Sequence, residues 1–186
     1  MTKSLKYIYF ASFIFWFSSN LIIPFIAIFA LQNISGVTLK EVGISSFIQY
    51  FSFAIFVILF GFISDKIKNL KVDYQISLFG YFIRTLCFFG LAFFNNLIIF
   101  YIINLLFGLS RGMMDALKDK IQFNLTSKEK IATTFSINIS VVNIASAIGA
   151  GVGGYLILVL GFNKVFLVVG ILTFISGIIF AFSRKK

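Results

Sequence analysis

Six apolar runs dominate the chain, at residues 7–31, 42–64, 74–94, 97–117, 131–160 and 164–183. A hydrocarbon layer of about 30 Å is crossed by roughly 20 residues that each rise about 1.5 Å, so every run is long enough to span it. Lipid offers no partner for backbone N–H and C=O groups, and continuous runs of this length bond internally only as helices. The breaks carry turn-forming or charged residues: 33–36, 65–73, Asn95-Asn96, 118–130 and 161–163. The chain is 60% apolar, against about 45–50% for a soluble domain, so one aqueous core cannot hide its surface. The expected fold is an all-α integral membrane protein: one six-helix transmembrane domain over residues 1–186, without a soluble appendage. The first run exceeds a signal-peptide core of about 7–15 residues and no small-residue cleavage site follows it, so it reads as a retained span.

Charge sets the expected direction. The net charge is +10, from 16 Lys and Arg against 6 Asp and Glu. One set of connections and ends holds Lys3 and Lys6, then Lys66, Lys68 and Lys71, then Lys118, Lys120, Lys128 and Lys130, and finally Arg184, Lys185 and Lys186. The other set holds only Lys40 and Lys164. Basic loops stay on the cytoplasmic side, which predicts a multi-pass cell-membrane protein with both termini cytoplasmic. The same placement assigns the positive charge to the lipid bilayer and not to nucleic acid. With no His and a single Cys87, zinc sites, His-dependent triads, haem ligation and an internal disulfide are excluded. No metal or cofactor is expected. There is no phosphate-cradling Gly-rich loop with Lys, which argues against ATP-driven transport, and an intramembrane enzyme is disfavoured.

Polar residues in lipid are costly and face a bundle interior or a wet cavity. The first helix has Ser12, Ser18, Ser19 and Asn20, with Pro24 expected to kink it. Ser45, Gln49 and Ser52 share a face of the second; Asn104, Gly108, Arg111 and Asp115 one of the fourth; Ser136, Ser140 and Asn143 one of the fifth. The third and sixth are mostly apolar. Helices 1, 2, 4 and 5 are therefore expected to face a cavity, with 3 and 6 peripheral, a pattern with a period of three helices. Two units of three spans must have opposite topology, as in a 3+3 inverted repeat. The candidate solute-contacting residues are Asn20, Gln49, Asn104, Arg111, Asp115 and Asn143. The competing account makes these groups interhelical hydrogen-bond glue. Arg84, midway along the third run, is expected to pair across the bundle or reach toward a headgroup, with contact to the solute as the alternative. An Arg facing the cavity would favour an anionic or carboxylate-bearing solute.

Two stretches carry a family resemblance. The second run ends in GFISDKIKNLK, residues 61–71. Asp65 sits at a helix C-terminus, the end that favours cations. The stretch resembles the major facilitator superfamily signature Gly-x-x-x-Asp-Arg-x-Gly-Arg-Arg/Lys. Gly61 and Asp65 match it, Lys66 stands for Arg, and Lys68 departs from the second Gly. The fifth run contains ASAIGAGVGG, residues 145–154, similar to that family's Gly-x-x-x-Gly-Pro-x-x-Gly-Gly. Gly149, Gly153 and Gly154 match; Ala150 replaces the Pro, which weakens any implication of antiport.

The resemblance implies a secondary transporter that moves a small-molecule solute by alternating access. It covers the N-terminal six-helix half of a twelve-helix architecture. It further implies that Asp65 lacks a partner in this chain and meets a second six-helix half, supplied by a homodimer mate or a separate C-terminal half. The alternative is a non-transporting truncated remnant or membrane assembly partner.

Overall fold

The structure, a computed structural model, describes residues 3–184. Lys185 and Lys186, counted above for orientation, lie outside the described residues. The described residues form helices α1 (Lys3–Asn20), α2 (Ile26–Asn33), α3 (Leu39–Ile67), α4 (Leu70–Phe93), α5 (Leu97–Asn124), α6 (Ile131–Leu160) and α7 (Phe162–Phe182), with no strand among them. Six of the resulting segments are long and apolar enough to cross a membrane, the first being α1 and α2 together.

Local chemistry sets the boundaries. Pro24 breaks the first span as expected, leaving a 3-10 turn, Ile23–Phe25, between α1 and α2. Thr38 and Glu41 form a reciprocal capping box at the start of α3. Asn69 and Asn96 accept backbone N–H groups at the starts of α4 and α5. Counting apolar residues placed the end of the fourth span at 117, but α5 continues to Asn124. Its last two turns are helical in spite of their charge, with Ile121 and Gln122 buried against the bundle.

The helices neighbour one another as an open arc: α3 on α5, α5 on α4, α4 on α7, α7 on α1, and α1 on α6. The back of the arc is densely packed. Phe29, Phe88, Phe166 and Phe180 are among the largest fully buried side chains. The ends of the arc are bare: α3 buries only Ser45, Ser52 and Ser64, and α6 only Thr134, Asn138, Ala145, Gly149 and Gly153. The outer faces of α4 and α7 present Phe79, Phe82, Phe174 and Ile178, which suits a lipid-facing periphery. Their inner faces are among the most enclosed parts of the bundle, so "peripheral" describes only one side of each helix.

Candidate functional site

The concave side of the arc holds the principal charged pair. Arg111 Nε on α5 lies 3.1 Å from Asp115 Oδ2 one turn further along. The Arg111 guanidinium stands 4.4 Å from the Phe53 ring centre of α3 and 5.6 Å from that of Trp16 on α1. Three helices thus converge on one cation, whose delocalised charge suits aromatic faces. Both side chains keep partial exposure, 32% for Arg111 and 23% for Asp115.

The other polar candidates are spread over the walls. Half-buried Asn20 donates from Nδ2 to Trp16 O at 2.9 Å and to Ser146 Oγ at 3.0 Å, which ties α1 to α6. Gln49 is half-buried on α3, where its carbonyl oxygen lies against Gly108 of α5. Asn143 is exposed on α6 and donates to Ile139 O at 2.8 Å. Asn104 is buried and donates to Phe100 O of its own helix at 2.8 Å. The structure brings Arg111 and Asp115 together; among the described residues none of the other candidates is hydrogen-bonded to that pair. Ser45 and Ser52 are buried, and Ser52 Oγ donates across to Leu105 O of α5 at 3.3 Å, as hydrogen-bond glue would.

Arg84 neither crosses to a carboxylate nor reaches a headgroup. It is 4% exposed, with Nη1 donating to Phe107 O at 3.2 Å. The rings of Phe15, Phe88 and Phe107 surround its guanidinium at 5.7, 5.5 and 4.2 Å. An inward-facing position on a helix read as peripheral gave no sequence signal for this cage.

A second polar cluster lies at the end of the bundle that carries both described chain ends and the α3–α4 connection. Asp65 is 80% exposed there, and Lys66 is exposed beside it. The expectation that Asp65 has no partner in this chain is corrected: Lys120 Nζ lies 3.6 Å from its Oδ1. The cause is the extra length of α5, which brings Lys120 alongside the end of α3. Lys120 is committed more strongly elsewhere. It donates to Ser64 Oγ at 2.6 Å and to Ser64 O at 2.8 Å, and it stands 3.5 Å from Asp73 Oδ2. Asp73 is fully buried and accepts from Ser64 Oγ at 2.7 Å. Sequence reading missed both Asp73 and Lys120; the available signal was a carboxylate in the first turn of α4, where the helix dipole favours it. Lys68, the departure from the signature Gly, has φ +52°, the left-handed region that a Gly adopts without strain. Nothing among the described residues lies within 4 Å of a Cβ built at Gly61, so no helix packs closely against it here.

The small residues of α6 do have a neighbour. A Cβ at Gly149 would collide with the backbone of α1 at Phe17, one at Gly153 with the backbone of Leu21 just past the end of α1, and one at Gly154 would come within 3.2 Å of the Phe25 ring. Close packing against the first span, from Phe17 to Phe25, therefore accounts for all three glycines. On α5, Gly108 and Gly112 admit α3 in the same way, at Ser52 and Phe56. That Gly-x-x-x-Gly spacing was legible in the sequence.

Comparison with known proteins places this geometry. The sequence profile of the Major Facilitator Superfamily matches residues 8–186. No curated protein sequence matches the chain. Among solved structures, the chain is similar to the in meso crystal structure of the POT family transporter PepTSo, with a TM-score of 0.84 and 18% identity. That likeness covers 100% of this chain, and the chain spans 38% of the other's length. At this identity the likeness is one of fold.

Proposed function

Because the chain belongs to the Major Facilitator Superfamily, we propose that it is one six-helix half of a secondary transporter that carries a small solute by alternating access between itself and a second six-helix half. One observation carries the reading: the helices form an arc whose two end helices, α3 and α6, are almost bare. Lipid would cover a purely apolar face, but the bare side of α6 carries Ser136, Ser140 and Asn143, polar groups that hydrocarbon does not satisfy. The 38% coverage of the solved transporter points the same way.

The inverted 3+3 repeat is part of this proposal. It is supported by the neighbour pairs: exchanging the first three spans for the last three turns the α1–α6 contact into α5–α3 and the α1–α7 contact into α5–α4, while α4–α7 maps onto itself. Cytoplasmic termini in a cell membrane are supported by the basic residues gathered at the end that carries them.

Native mass spectrometry of the protein extracted from its own membrane tests the reading. Two identical chains, or this chain with a different six-helix chain, are the expected masses. A lone monomer would favour the non-transporting alternative. Asp65→Asn adds a second arm. Asp65 is mostly exposed and its Lys120 contact is long, so loss of assembly or of solute uptake is expected to come from a contact outside this chain. Unchanged assembly and uptake would remove Asp65 from the interface.

A further inference from the structure

The bundle interior contains a positive charge that the packing leaves unmatched. Arg84 is almost fully enclosed, and none of the carboxylates among the described residues pairs with it. Its Nε is buried without an acceptor, and its one hydrogen bond runs to a neutral carbonyl. Aromatic faces and a carbonyl offset part of the cost of removing a guanidinium from water, but they bring no counter-charge.

A second guanidinium stands on the far side of the same aromatic pair. Phe15 and Trp16 are adjacent on α1, with ring centres 5.6 Å apart and planes at 88°. Arg84 faces the Phe15 ring at 5.7 Å, and Arg111 faces the Trp16 ring at 5.6 Å. Asp115 matches Arg111 at 3.1 Å and is shared with Lys118 at 3.8 Å. Around this ring pair, two guanidiniums therefore face one carboxylate. Arg111 is reachable from the concave side, whereas Arg84 lies beneath it, between α1 and α5.

Resting on the transporter reading, we propose that Arg84 and Arg111 together form the recognition centre for an anionic solute, a small carboxylate or other oxyanion. Arg111 makes the contact. Its Nε serves Asp115, and its planar fork retains donors for an oxyanion. Arg84 positions the anion by its field, since a charge acts farther in a water-poor interior than in solution. The solute then supplies the negative charge that the bundle lacks. A cation would meet two guanidiniums, and a neutral solute would leave the excess charge in place.

The chain carries its own reporter. Trp16 is its one tryptophan, and its ring lies against Arg111. Purified chain in lipid nanodiscs is titrated at constant chloride with acetate, inorganic phosphate, acetamide and ethylammonium while Trp16 emission is read. A saturable response to acetate or phosphate, absent with acetamide and ethylammonium, is expected. Arg84→Met should weaken the apparent affinity at least tenfold with no loss of thermal stability, and Arg84→Lys should restore it. A saturable response to acetamide or ethylammonium alone overturns the anionic class and leaves the transporter reading standing. A flat response to all four probes overturns the site, while the transporter reading is judged separately by the native mass. An unchanged titration in Arg84→Met, at whatever melting temperature, would overturn the proposal, and a lower melting temperature beside it would make Arg84 a packing residue.

Discussion

Lys68 is a residue whose backbone conflicts with its side chain. A non-glycine residue in the left-handed region costs about 1–2 kcal/mol, and Lys68 holds φ +52° to close α3. Lys68→Gly is expected to raise stability by about 1 kcal/mol, read as a higher melting temperature. An unchanged or lower value would mean that the Lys68 side chain makes a compensating contact. The nearby Lys120 shows the opposite case. It is the cation beside fully buried Asp73, and removing one partner of a buried pair strands the other. Lys120→Ala is expected to cost about 3 kcal/mol. Asp73→Leu in the same chain should recover most of that loss, because the stranded carboxylate is then gone. If the double variant melts no higher than Lys120→Ala, the pair is not what holds this end of the bundle.

At the scale of helices, close approach decides which glycines matter. The backbone of Leu21 occupies the space a Cβ at Gly153 would need, while a Cβ at Gly151, two residues earlier, meets nothing within 4 Å. Gly153→Ala should therefore destabilise the purified chain by about 1–3 kcal/mol through forced separation of α1 and α6. Gly151→Ala should be neutral or stabilise by about 0.5–1 kcal/mol through helix propensity. Equal effects in thermal denaturation would contradict this seam. The family signature already set the two apart, because Gly153 falls on a signature glycine and Gly151 does not; the path of the chain at Leu21 supplies the physical reason.

At the scale of the molecule, the arc separates a closed back from an open front. Cys87 belongs to the back and is 2% exposed, whereas Asn143 lies exposed on α6. In the folded, purified chain, a membrane-permeant maleimide should label Asn143→Cys in a Cys87→Ala background at least tenfold faster than it labels wild-type Cys87. Rapid labelling of Cys87 would show that the core around α4 is not closed as described. On the proposed two-half arrangement, a second six-helix half should slow labelling at 143, and an unchanged rate would count against α6 as its docking face.

Hydropathy and turn chemistry by themselves determined the six spans, the break at Pro24 and the start of α6 at Ile131, because in lipid a long apolar run has no structure other than a helix. The two glycine-containing stretches also made the superfamily legible. Tertiary structure alone decided which polar groups meet. Arg84 could be named from the sequence but not placed in a cage of rings from α1, α4 and α5, since those rings converge only when three distant segments pack. Lys120 could be counted as a loop charge but not recognised as the partner of Asp73 and Asp65, because hydropathy ends a helix where apolar residues stop, while α5 continues to Asn124 with Ile121 and Gln122 buried. Composition registers what the solvent must be; which side chains neutralise one another depends on where the helices cross.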